Sequence, residues 1–228
     1  MKKLIQGILD FRKNILPGYR EAFARLALDQ APDSLFVACS DSRVVPNLFA
    51  SSNPGDLFVL RNVGNLIPQC NTAGICEQDR SAGAAVEFAV KVLKVKDIII
   101  CGHSDCGAMQ ALLKEAPSEQ ASNLQAWLEH GKGALEKFRQ GRALDPKLKP
   151  YDQLSQLNVL EQMDHVKKFP WVQERINQGD LTIHGWWFDI RHADVYAYEA
   201  QDNRFLLIDE TEAERIMKRL KESPAGNQ

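Results

Sequence analysis

Two short stretches of the chain concentrate side chains that bind metals or move protons: Cys39-Ser-Asp41-Ser-Arg43 and Gly102-His103-Ser-Asp105-Cys106-Gly107. Cys39, His103 and Cys106 offer two thiolates and one imidazole, a donor set suited to Zn2+, and the His-x-x-Cys spacing closes a local chelate. Three protein ligands leave one tetrahedral position open, as catalytic zinc sites do and structural ones do not. Asp41 has two readings, a fourth ligand or an acceptor standing off the metal. Arg43 beside it keeps the carboxylate ionised and can hold it in bidentate geometry. An ionised Asp41 only accepts hydrogen bonds, so a metal-bound hydroxide must turn its hydrogen towards it and a lone pair outward. Two thiolates donate more charge than imidazoles and make bound water less acidic, which the Asp41 acceptor offsets in part. Each residue also has a plainer reading: a buried strand-end cysteine, a helix-start cluster, an ion pair closing a turn. Their combination favours the metal.

Both stretches follow apolar runs. Leu35–Cys39 and Asp97–Gly102 read as buried parallel strands, and Leu57–Leu60, bounded by Pro54-Gly55 and Asn62, as a third. In an open parallel sheet, ligands sit beyond the carboxyl ends of the strands, so the two stretches meet if their strands are neighbours. Further strands are expected at Leu181–Ile190 and Asp194–Tyr198, joined by the tight Arg191-His192-Ala193 connection of an antiparallel hairpin. Residues 1–30 read as two amphipathic helices broken at Pro17-Gly18, forming an N-terminal arm. Helices are also expected at Ala82–Leu93, Gly107–Lys114, Leu124–Arg139, Leu154–Lys168 and Glu210–Lys221, with a flexible tail at 223–228. The fold class is therefore α/β: a mostly parallel sheet of about five strands, the last antiparallel, flanked by helices.

The chain has 228 residues, which suits one domain spanning 1–228. Lys and Arg number 28 against 30 Asp and Glu, with no basic block to neutralise phosphates, so no nucleic-acid partner is expected. Gln6, Asp10, Arg12 and Lys13 interrupt the apolar N-terminal run, and no stretch reaches the roughly 20 apolar residues of a membrane span, so a cytoplasmic protein without a membrane partner is expected. Five cysteines, an odd number, argue against a complete disulfide framework. Cys101 reads as a small core residue. Cys70 and Cys76, in the loop Gln69–Arg80, read as free thiols, with pairing under oxidation as the alternative. His130, His165, His184 and His192 have no metal-ligand spacing to one another.

Taken together, CSDSR and the downstream GHSDCG resemble the signature of the β-class carbonic anhydrases. The similarity extends over PGDLFVLRNVGNLIP at 54–68 and SAGAAVEFAVKVLKVKDIIICGHSDCGAM at 81–109, with weaker likeness in the arm and in GDLTIHGWWFDI. The resemblance implies one Zn2+ per subunit on Cys39, His103 and Cys106. It implies that Asp41 and Arg43 form a catalytic dyad, with Asp41 able to swing onto the metal in a closed, inactive form. The implied reaction is the reversible hydration of carbon dioxide to bicarbonate and a proton by zinc-bound hydroxide. Other readings are a carbon disulfide or carbonyl sulfide hydrolase on the same scaffold, or a non-catalytic, zinc-stabilised regulatory protein in which Asp41 fills the fourth position. The resemblance also implies a homodimer or dimer of dimers, the arm embracing the partner and the cleft lying at the interface. Of the substrate pocket of plant-type members, Gln30 and Phe58 match the glutamine and the phenylalanine, and Phe88 occupies the position where many carry a tyrosine, so a hydroxyl is missing there. Phe36 stands where members with a second, inhibitory bicarbonate site carry a tryptophan.

Overall fold

The computed structural model describes residues 1–114 and 122–222; the expected tail at 223–228 lies outside the described residues. Six strands form one sheet in the order β2-β1-β3-β4-β5-β6: β1 Ser34–Cys39, β2 Leu57–Asn62, β3 Asp97–His103, β4 Thr182–Asp189, β5 Asp194–Glu199 and β6 Arg204–Leu207. The first four run parallel, and β5 and β6 add as antiparallel neighbours. β1 and β3 are central and buried almost throughout, which is why they read as unbroken apolar runs rather than alternating ones. β6 was not legible as a strand: Arg-Phe-Leu-Leu is short, and as an edge it needs no apolar face of its own.

Alternate residues of the central strands feed two cores. Leu35, Val37, Ile98 and Ile100 pack with Val86 and Val90, with Val159 and Val166 of α8 (Pro150–Lys167), and with Phe169. Phe36, Ala38, Ile99 and Cys101 face the other side with Phe188. Phe36 there meets Phe49 and Trp186, with ring centroids 6.0 and 5.8 Å away, which is ordinary core packing. A third cluster includes Cys39 and Cys106 with Leu66, Met109, Leu112 and Leu135.

The helices correct several sequence expectations. Helix α1 (Lys2–Asp10) passes through a π-turn at Phe11–Ile15 directly into α2 (Leu16–Leu26), so Pro17-Gly18 does not break the arm. Proline lies in the second position of α2, and the looser turn before it takes up the lost i−4 bond: Leu16 N–H reaches Phe11 O instead. The short α3 (Pro46–Phe49) was not anticipated. The helix expected at 82–93 is α4 (Arg80–Glu87), capped by Asp79, followed by a π-turn at Phe88–Val92. α5 (Gly107–Lys114) falls where expected. The helix expected at 124–139 divides into α6 (Asn123–Leu128) and α7 (Lys132–Arg139) around a 3-10 turn at Glu129–Gly131. α8 starts at Pro150, one turn before the apolar pattern suggests, because proline suits a helix's first position. α9 (Pro170–Asn177) was missed, and α10 (Glu210–Glu222) closes the described chain. Among the described residues, no helix is long and apolar enough to cross a membrane.

Candidate metal centre

β1 and β3 pair in parallel, and their carboxyl ends lie side by side. Cys39 is the last residue of β1, His103 the last of β3, and Cys106 immediately precedes α5. The topology thus brings the two stretches together. The donor atoms of Cys39, His103 and Cys106 lie within 4.8 Å of one another, and all three residues are buried. His103 Nδ1 stands 2.8 Å from Ser104 O, a carbonyl that can only accept, so Nδ1 carries the proton and Nε2 keeps its lone pair. Nε2 is buried and has no hydrogen-bond partner among the described residues. Leaving such an acceptor unsatisfied costs about 1–3 kcal/mol, and a metal ion removes that cost.

The sulfurs are prepared for the same cation. A hydrogen bond from the Cys106 thiol holds the Cys39 thiol down to about 4, against burial and with help from His103 and the Asp41 and Gly64 amides. The Gly64 N–H lies 3.3 Å from Cys39 Sγ. Cys106 is pushed well up, because it donates to that thiolate and is itself buried. Two sulfurs therefore share one proton, which a divalent cation displaces on binding. Two buried sulfurs and an imidazole nitrogen fit zinc.

Asp41 lies in the turn after β1, with both carboxylate oxygens held by Arg43. Arg43 Nε and N–H donate to Oδ1 at 2.9 and 3.0 Å, and Nη2 donates to Oδ2 at 2.7 Å. This bidentate bond holds the carboxyl well below the usual carboxylate range. Arg43 Nη2 also donates to Asp105 O at 3.1 Å, tying the two stretches together.

Several supporting residues escaped the sequence reading. Arg61 of β2 donates to Cys39 O and Asp41 O, fixing the backbone on both sides of the turn. Asp152 Oδ1 accepts Asp105 N–H at 2.7 Å, while Lys149 and Tyr151 donate to Asp105 Oδ1. That clamp fixes Asp105 in a left-handed conformation, φ +52°, between the two ligands of α5's approach. Ser155 Oγ donates to His103 O. Gly64 adopts φ +82°, and a Cβ there would sit 3.0 Å from Ala108, so glycine lets the amide reach Cys39 Sγ. The one sequence signal available was the acidic Asp152 in the first turn of a proline-started helix.

Gln30, Phe58 and Phe88 are not brought to this centre. Phe58 pairs with Leu35, four residues before Cys39, a separation of about 13 Å along the strand. Phe88 contacts Phe58, with ring centroids 5.7 Å apart, and is itself substantially exposed. Gln30 is exposed ahead of β1. Three of the other histidines have polar partners, His165 at Ile67 O, His184 at Asp97 and His192 at Asp189, and the His130 ring meets Trp127 edge-on with centroids 5.2 Å apart. Cys101 is fully buried in β3.

Comparison with known proteins points the same way. A carbonic anhydrase family model matches residues 34–195. A carbonic anhydrase of Pseudomonas aeruginosa is 39% identical over 210 residues, covering 92% of this chain and 93% of the relative. The structure of the β-carbonic anhydrase CcaA superposes with a TM-score of 0.83 at 35% identity, covering 92% of each chain. One of two tetrameric β-carbonic anhydrases of Sordaria macrospora superposes with a TM-score of 0.72 at 28% identity, over 86% of this chain and 95% of that one. With the Cys-His-Cys cluster at the ends of its parallel strands and these matches along most of its length, the chain belongs to the carbonic anhydrase family, β class, and is an enzyme of that kind.

Proposed function

We propose that Cys39 Sγ, His103 Nε2 and Cys106 Sγ hold one Zn2+ and that Asp41 and Arg43 direct the hydration of carbon dioxide beside it. Bound there, zinc lowers the pKa of water and so supplies a nucleophile near neutral pH. The observation that carries the reading is the convergence of three buried donors, one of which, His103 Nε2, has no other partner among the described residues.

Asp41 supplies an ionised acceptor that orients the attacking water by taking a hydrogen bond from it. Arg43 fixes both oxygens of that acceptor, which keeps Asp41 ionised and holds its orientation. The Gly64 amide draws charge off the Cys39 thiolate and so opposes the loss of acidity that sulfur ligands bring.

The apolar pocket is assembled between two copies. Gln30, Phe58 and Phe88 lie too far from their own metal cluster to line it, yet the exposed face of Phe88 and the unburied arm suit a subunit interface. A homodimer, alone or paired into a tetramer as in the Sordaria relative, fits this arrangement.

Stopped-flow assay of carbon dioxide hydration by the zinc-loaded protein tests the reading. Turnover that rises with pH is expected. Fully loaded protein that fails to hydrate carbon dioxide at alkaline pH, whether or not it releases sulfide from carbon disulfide, sinks it.

A further inference from the structure

Away from the metal centre, Cys70 and Cys76 flank a small loop with a defined shape. Asn71 N–H donates to Ile75 O at 3.0 Å, and Gly74 N–H donates to Asn71 O at 2.8 Å. Gly74 adopts φ +79°. A type I turn closed by a left-handed residue is the pattern of a three-residue hairpin loop, here Thr72-Ala73-Gly74. The Asn71 side chain reinforces it from inside, since Oδ1 accepts from Ala73 N–H and Ile75 N–H at 3.0 Å each. Trp171 closes over it: a Cβ on Gly74 would lie 2.3 Å from the indole ring.

Cys70 and Cys76 are the residues next outward from Asn71 and Ile75, the place that a non-hydrogen-bonded pair takes where a hairpin of this kind continues. Directly opposed residues of that type have Cα atoms about 4.5 Å apart and side chains on one face. Disulfides bridge Cα separations of about 4.4–6.8 Å. Cys76 is buried in the core cluster that includes Val86 and Phe169, Cys70 packs against the same cluster, and Cys70 is near enough for its charge to act on Cys76. Both are free thiols in the structure. We propose that Cys70 and Cys76 are a modification site that closes reversibly into a disulfide by exchange with a low-molecular-weight disulfide.

Entry is through Cys70. It is half-buried and lines a cavity of about 470 Å3 together with Gln69, His130 and His165, whereas Cys76 is 2% exposed. The Cys70 thiolate attacks one sulfur of the small disulfide; that S–S bond breaks, a small thiol leaves, and a mixed disulfide remains on Cys70. Cys76 gives up its proton and attacks the Cys70 sulfur, the mixed bond breaks, and a second small thiol leaves. The protein loses two electrons and two protons, and both thiols formed carry them away. Burial pushes Cys70 up and Cys76 to about 11, so the exchange is best followed at alkaline pH.

The test uses the zinc-loaded full chain, incubated with glutathione disulfide at alkaline pH and digested with trypsin without reductant. The peptide between Arg61 and Arg80 holds both cysteines. Its expected mass is lower by two hydrogens, restored by dithiothreitol, with a rise of roughly 5 °C in Tm before reduction. Cys76→Ser should accumulate a glutathione adduct on Cys70, and Cys70→Ser should leave Cys76 unreacted. A wild-type peptide that stays reduced, that stops at the Cys70 adduct, or in which either cysteine links to Cys39 or Cys106, overturns the proposal. None of these outcomes depends on whether the zinc centre hydrates carbon dioxide.

Discussion

At the candidate metal centre, Cys39 and Asp41 sit two residues apart and have different partners. Cys39 is a donor in the buried cluster, whereas both oxygens of Asp41 are engaged by Arg43. Replacing the first should therefore remove metal, and replacing the second should remove orientation. Cys39→Ser is expected to lose most of its zinc by elemental analysis, since a serine oxygen is a poor zinc ligand. Asp41→Asn is expected to keep zinc and lose about 10²-fold in turnover, the scale of a single misplaced proton-handling group. Equal zinc loss in the two variants would falsify the division. These residues were legible because ligand types and spacing are written in the chain itself. Arg61, Gly64 and Asp152 were not, because each acts through a backbone group whose location depends on the folded loop.

Between elements, the parallel strands announced themselves through apolar runs, while helix junctions did not. Pro17 looks like a breaker until the π-turn before it is seen to absorb the missing bond, and the 3-10 turn at Glu129–Gly131 interrupts a pattern that sequence periodicity treats as continuous. One junction has a titratable core. Glu161 of α8 accepts from Lys137 of α7 at 2.5 Å and lies 3.2 Å from His165 Nε2. His165 first, then Lys137, hold the Glu161 carboxyl down to about 2 against the effect of burial, from an ordinary value of 4.5. A depressed carboxylate contributes stability that is present above its unfolded value and lost as pH falls through its folded value. Between pH 4.5 and about 2 the protein should therefore lose stability through this group. Glu161→Gln should be less stable at pH 7 yet show a shallower decline across that window in chemical denaturation. Parallel acid limbs for the two proteins would show that the triad does not set the slope.

Across the whole molecule, the clearest imbalance is the arm. α1 and α2 have no buried residue, and Leu4, Ile5, Ile8 and Leu9 are each more than half exposed. Positions 4 and 8, and 5 and 9, repeat at helical spacing, so they form one apolar stripe rather than scattered contacts. A stripe of this kind, on a helix that does not fold back onto the chain's own core, suits the subunit interface proposed above. Phe58 and Phe88 are also distant from the Cys39-His103-Cys106 cluster of their own copy, so the proposed pocket and the proposed arm contact make the same demand for a partner. Ile8→Glu places a carboxylate in the middle of the stripe without touching the sheet or the donors. The expected result is a lower oligomeric mass by light scattering, with zinc content retained and hydration lost in proportion to the monomer fraction. Raising protein concentration should recover activity along with mass, because the defect lies in association. A variant that stays fully assembled, or a monomer that keeps full turnover, would detach the active cleft from the interface.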